Sequence, residues 1–160
     1  MPRTIDQVDL QILKLVQSDA RLANAEVARN LGMAPSAIHQ RLKRLEERGV
    51  IRGYSARVDP GSVDRGLLSF IHVSTDEALG KFDVAAAIAK LPGVLEVHDI
   101  AGEDCYLLKV RAADTSHLHQ FLREELGAIP GVRSTRTTIV LKTISERVDL
   151  PIPSSLETES

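Results

Sequence analysis

Over the first fifty positions, apolar residues recur at spacings of three and four, the period of helices with one buried face. Ile5, Val8, Ile12 and Leu15 mark the stripe of a first helix, with Thr4 and Asp6 as candidate caps. After the polar break Ser18-Asp19-Ala20-Arg21, a second helix is predicted to begin near Asn24, a good capping residue, and to carry Val27, Ala28 and Leu31 inward as far as Gly32. Pro35 opens a third helix, where its missing N–H is harmless, and Ile38, Leu42 and Leu45 form the inward stripe until Arg48 and Gly49. Two helices joined by the short turn Gly32-Met33-Ala34 make a helix-turn-helix, an arrangement whose second helix lies in the major groove of DNA.

The pattern then changes. Residues 50–58 read as a strand with a kink at Gly53, followed by the turn-forming Asp59-Pro60-Gly61-Ser62, so that 54–64 serve as hinge strand and linker after a 1–53 helical module. Further on, strands are predicted over 67–73, 94–101, 105–110 and 132–141, with helices over 82–90 and 116–126, the latter capped near Thr115. The order βαββαβ predicts an α+β chain whose second module, 65–144, is ferredoxin-like. Leu91-Pro92-Gly93-Val94 and Ile129-Pro130-Gly131-Val132 stand at equivalent places and mark an internal repeat of the βαβ half. Two helices cover one face of such a sheet, yet Leu68 and Phe70 alternate with Leu67, Ile71 and Val73. The uncovered face therefore needs a partner, and self-association is the simplest one. No function is assigned to the tail, 145–160.

Composition narrows the class. With 43% hydrophobic and 26% charged residues the chain has the balance of a globular protein. No apolar run approaches the roughly 18 residues of a membrane span, and the first residues do not resemble a secretory signal, which predicts a cytoplasmic protein. Cys105 is the single cysteine, so neither an intrachain disulfide nor a thiolate zinc framework is expected.

Charge sharpens the picture. Residues 1–60 carry 10 Lys/Arg against 7 Asp/Glu, and residues 61–160 carry 10 against 15, so a net −2 conceals a basic first part and an acidic second. Arg29, Arg41, Lys43, Arg44, Arg48, Arg52 and Arg57 concentrate positive charge around the third helix, which suits a polyanion. Opposite its apolar stripe lie Ser36, Gln40 and Glu47, flanked by Lys43 and Arg44. Gln40 has the amide that binds adenine in bidentate fashion, Ser36 can reach a base or phosphate, and Lys43 and Arg44 suit phosphates or guanine. Asn24 and the flanking His39 complete the candidate DNA-facing set, whereas Arg41 and Arg48 fall nearer the flank, in structural positions.

These residues resemble a known prokaryotic family, the leucine-responsive regulatory protein and asparagine-synthetase regulator (Lrp/AsnC) family, almost end to end. The resemblance rests on Ile5-Asp6-x-x-Asp9-x-x-Ile12-Leu13, on Asp19-Ala20-Arg21, on Leu31-Gly32-Met33, and on Arg41-Leu42-x-x-Leu45-Glu46-x-x-Gly49-Val50-Ile51-x-Gly53-Tyr54. The chain departs from the family's pattern at Asn24, usually Ser or Thr, and at Ala34, usually Ser; Ala34 cannot cap. The resemblance implies a winged helix-turn-helix regulator of transcription that forms dimers or larger homo-oligomers, up to octamers, and responds to a small effector, commonly an amino acid.

Gly102-Glu103-Asp104-Cys105-Tyr106 resembles the family's glycine-x-x-aspartate-tyrosine signature, with the order of its last residues altered. In the family this loop lies at a subunit interface and helps bind the effector. A zwitterion needs donors at one end and an anion at the other, which Ala101, Gly102, Glu103 and Asp104 would supply while facing Thr135 and Thr137 across an interface.

Other chemistries find little footing. His98-Asp99 and His117-x-His119 diverge on a strand and a helix respectively, and no phosphate-binding P-loop, dinucleotide fingerprint or nucleophile elbow occurs. No catalytic residue, metal or cofactor is expected. Two alternatives remain open: an enzyme resembling sirohaem decarboxylase, which shares this two-module layout but acts on a tetrapyrrole, and an architectural DNA-binding protein that ignores effectors.

Overall fold

The computed structural model describes residues 5–78 and 80–154, so Thr4 lies outside the described residues. These divide into two compact units, one running to Arg57 and resuming at Ser145, the other spanning Val58–Ile144.

The first unit holds α1 (Gln7–Ser18), α2 (Asn24–Leu31) and α3 (Pro35–Glu47). Ile12, Val27, Ile38 and Leu45 are essentially inaccessible and, with Ala28 and Leu42, form the core that the apolar stripes predict. Asp6 caps α1 through a capping box with Asp9. Asp19 then organises the turn, its Oδ1 accepting from Arg21 N–H at 2.8 Å. The cap expected at Asn24 is not formed: Ala23 is the N-cap, without a side-chain bond, and Asn24 is the first helical residue. The amide is thus too far into the helix to receive the free N–H groups of its first turn.

Gly32 ends α2 in the left-handed region at φ 64°, and Met33 N–H donates to Ala28 C=O at 2.9 Å. This closure needs a residue without Cβ strain and sets the direction in which α3 leaves. The strand expected over 50–58 is absent among the described residues: Val50 and Ile51 N–H donate back to Leu45 C=O at 2.9 and 3.1 Å, and no described strand pairs with the rest of that backbone.

The second unit is a four-stranded antiparallel sheet of β1 (Leu67–Thr75), β2 (Val94–Asp99), β3 (Tyr106–Ala112) and β4 (Val132–Ile139), in the order β2-β3-β1-β4. With α4 (Asp83–Ile88) and α5 (Thr115–Gln120) it has the predicted βαββαβ order. α5 continues as a π-helical segment, Phe121–Leu126, and its cap is Asp114, which accepts from His117 N–H, not Thr115. Asp114 wins because its extended backbone leaves its carboxylate free to turn onto the first helical turn.

Alternation along β1 and β3 sends Ile71, Val73, Tyr106, Leu108 and Val110 into a core with Val84, Ile88, Leu118, Phe121 and Leu126. Leu68, Phe70, His72 and Ser74 stand on the opposite face.

Candidate functional site

α3 is divided lengthwise. Ile38, Leu42 and Leu45 are buried, whereas Ser36, His39, Gln40, Lys43 and Arg44 are exposed. Lys43 Nζ lies 3.7 Å from Glu47 Oε1, an exposed pair one helical turn apart that leaves the ammonium in solvent. Arg41 points elsewhere: its Nη1 reaches Asp6 Oδ2 at 2.6 Å and Asp9 Oδ1 at 2.7 Å, tying α3 to α1. The sequence reading of Arg41 as structural therefore holds.

Asn24 and His39 come together beside α3, with Asn24 Nδ2 3.4 Å from His39 Nδ1, on the wall of a cavity of about 500 Å³ that also involves Lys43, Glu46 and Tyr54. Tyr54 O–H donates to Glu46 Oε1 at 2.9 Å; burial and the facing carboxylate push its pKa up to about 12. This bond holds the chain after α3 against that helix.

The loop between β2 and β3 exposes Ala101, Gly102 and Glu103, while Asp104 turns inward. Asp104 Oδ1 accepts from Ser74 O–H at 2.9 Å and Oδ2 from Arg136 Nη2 at 2.7 Å. His72 Nδ1 stands 3.3 Å from Oδ2 without the alignment of a hydrogen bond. The Arg136 and Ser74 bonds hold the Asp104 carboxyl below its ordinary pKa.

Register explains this gathering. His72 pairs with Arg136 across the β1–β4 ladder and Ser74 with Ser134, so His72, Ser74 and Arg136 share one face. Thr135 and Thr137 pair with Val73 and Ile71 and have the opposite parity, so within one chain they do not join Asp104. His72, Ser74 and Arg136 escaped sequence reasoning, since only the pairing register reveals that residues about thirty apart face one carboxylate.

Tyr106, adjacent to this loop in sequence, is buried on the helix side. Its O–H donates to Glu77 Oε2 at 2.9 Å, and Glu77 Oε1 accepts from Val84 N–H at 3.0 Å. Among the described residues, no group of three or more His, Cys, Asp or Glu is placed to hold a metal ion.

Comparison with known proteins bears on both regions. Residues 68–150 match the Lrp/AsnC ligand binding domain, and residues 5–52 match a winged helix-turn-helix DNA-binding domain. The chain belongs to the Lrp/AsnC family. It is 38% identical over 149 residues to the HTH-type transcriptional regulator FL11 of Pyrococcus horikoshii, covering 92% of this chain and 97% of that protein.

Among solved structures, a transcriptional regulator from Neisseria meningitidis in complex with L-methionine superposes with a TM-score of 0.85 at 36% identity, over 92% of this chain and 97% of that one. A feast or famine regulatory protein from Mycobacterium tuberculosis, complexed with L-methionine, gives 0.85 at 32% identity, over 94% and 100%. This Lrp/AsnC chain is thus a transcriptional regulator with a DNA-binding helix-turn-helix and a ligand-binding domain.

Proposed function

We propose that this regulator grips double-stranded DNA with the outward face of α3, as a homo-oligomer, and that a free amino acid modulates the grip from the loop around Asp104. The observation that carries the DNA reading is the division of α3: a buried stripe of Ile38, Leu42 and Leu45 behind exposed Ser36, Gln40, Lys43 and Arg44. A helix anchored on one side and bearing an amide and two cations on the other has what major-groove readout requires. Asn24 and His39 would support its flank, next to the phosphates.

The effector reading rests on Asp104. Its oxygens are occupied by Ser74 and Arg136, an internal ion pair on the face away from α4 and α5. An amino acid supplies both charges of that pair: its ammonium can take over Asp104 while its carboxylate takes Arg136 or the backbone N–H groups near Gly102. Ala101 and Glu103 would flank it, and Thr135 and Thr137 of a neighbouring subunit would close the site. Two related regulators were solved with L-methionine, which supports this ligand class.

On the sheet face away from α4 and α5, Leu68 is already buried within the chain but Phe70 is partly exposed, which supports self-association there, and twofold symmetry would present two recognition helices to a two-half site. Relatives named as transcriptional regulators favour a binding protein over an enzyme acting on a tetrapyrrole. Such a protein would work beside the DNA, in the cytoplasm; no described helix is long and apolar enough to cross a membrane.

The test is fluorescence anisotropy of the full chain with duplex DNA from its own promoter over a series of salt concentrations, with and without each of the twenty amino acids. Salt-sensitive binding altered by at least one amino acid is expected. Binding to no duplex would overturn the DNA reading; binding that no amino acid changes would leave the architectural alternative.

A further inference from the structure

The chain beyond β4 belongs to two modules at once. The match to the ligand-binding domain continues to residue 150, yet from Ser145 onward the described chain packs with the helical unit. That unit is therefore assembled from two separate lengths of chain, and the main chain enters the sheet unit at Val58 and leaves it at Ile144.

Gln17, Arg57 and Gln7 of the helical unit are among the side chains that hold the returning segment. Gln17 of α1 donates its Nε2 to Leu150 C=O at 2.7 Å, Arg57 donates to Glu146 C=O at 3.3 Å, and Gln7, the first residue of α1, donates to Ser154 C=O. Every acceptor is a main-chain carbonyl, so the tail's own side chains take no part in these bonds. Val148 and Leu150 remain 70% and 72% exposed at the edge of a cavity of about 980 Å³ lined also by Leu13, Val16 and Ile51. These three hydrogen bonds are exposed and Val148 and Leu150 bury little apolar surface, so the segment beyond Glu146 opens at low free-energy cost and is suited to a reversible latch.

We propose that residues 146–154 are a strap that carries the effector response from the sheet unit to the helical unit, a reading that rests on the amino-acid site proposed above. β4 holds Arg136, the partner of Asp104, and its main chain continues into the strap. The strap is held by Gln7 and Gln17 on α1, and α1 holds α3 through Asp9 and Arg41. Displacing Arg136 from Asp104 shifts β4, and the shift travels through covalent bonds to the latch and then through the part-buried Asp9–Arg41 ion pair to the DNA-reading helix. Both conformations of the latch are thereby biased by one ligand, which is the physical requirement for coupling.

The test uses the full chain carrying Gln7→Ala and Gln17→Ala, with Gln7→Glu and Gln17→Glu as a second pair whose carboxylates cannot donate. Tryptic cleavage after the exposed Arg147 of the folded protein should quicken by about fivefold or more in both variants, as expected for a released segment. DNA affinity without effector should stay within about twofold of wild type, and the active amino acid should still raise Tm, while the change it causes in DNA affinity falls to less than about half. A released strap with an undiminished effector response overturns the proposal, as does unchanged tryptic cleavage after Arg147 in both variants. A wild-type protein whose DNA binding answers to no amino acid overturns the effector reading instead, so the two failures are distinct.

Discussion

Arg41 of α3 lies against Asp9 of α1, with Nη1 2.7 Å from Oδ1, and Asp9 is only 8% exposed. The same guanidinium reaches Asp6 at 2.6 Å, but that carboxylate is half exposed and contributes little. Burial pushes the Asp6 carboxyl up, and the Arg41 and Asp9 hydrogen bonds more than offset it and hold the carboxyl below its ordinary pKa. Removing the arginine would strand Asp9 in a largely water-excluded position. Arg41→Ala is expected to destabilise the protein by about 1–3 kcal/mol in urea denaturation, with Arg41→Lys recovering part of it.

Gly93 enters β2 at φ +86°, and an added Cβ would come within 2.5 Å of Arg111 C=O. That oxygen belongs to backbone, and Gly93 C=O itself accepts from Arg111 N–H at 2.9 Å, so neither partner can withdraw cheaply. Gly93→Ala should cost more than about 2 kcal/mol, from left-handed strain and the clash together. A thermal midpoint shifted by only a degree or two would contradict this. Gly32, equally left-handed but with open space around its Cβ position, should cost less on the same substitution.

Both of these relationships bear on what could be foreseen. Periodicity identified α1, α2 and α3, because a buried face imposes its spacing on the sequence directly, and turn signals with strand composition located α4, α5 and the four strands of the sheet. The Gly32 stop and the Pro35 start were equally legible, each being a local requirement of the backbone. Caps were missed by one residue at Asn24 and at Thr115, since neighbouring polar residues compete for a role decided by backbone angles. The strand expected at 50–58 failed because alternation signals pairing capacity and not the presence of a partner. At the candidate site, motif and helical phase were enough to single out Asp104 and the exposed face of α3. Arg136, His72 and Ser74 could not, because their meeting depends on the register between β1 and β4.

The exposed face of α3 separates two kinds of contact. Lys43, whose only described partner is the exposed Glu47, should act as a phosphate neutraliser. Lys43→Ala is expected to weaken binding alike across DNA sequences and to lower the salt slope by about one. Gln40 carries an amide matched to adenine, so Gln40→Ala should lose about 1–3 kcal/mol of discrimination at one base position while nonspecific affinity persists. Binding assays over a panel of single-base operator changes would show both effects, and wild-type behaviour in both variants would move the reading face elsewhere.

Asp104 offers a test by pH as well as by ligand. Its folded carboxyl is held below the ordinary 3.8, chiefly by Arg136 and Ser74. A carboxylate with a depressed folded pKa stabilises the protein fully above its unfolded value and loses that contribution as pH falls through the folded value. The difference in Tm between wild type and Asp104→Asn should therefore be largest and level above about pH 5 and should shrink as pH falls below about 4. High salt should narrow the gap, because the Arg136 side chain is 70% exposed. In the same preparation, Asp104→Ala should abolish the amino-acid effect on DNA binding without changing affinity in its absence. A Tm gap that widens on acidification would mean that Asp104 is not the charged partner of Arg136 in solution, and an intact ligand response would remove it from the effector site.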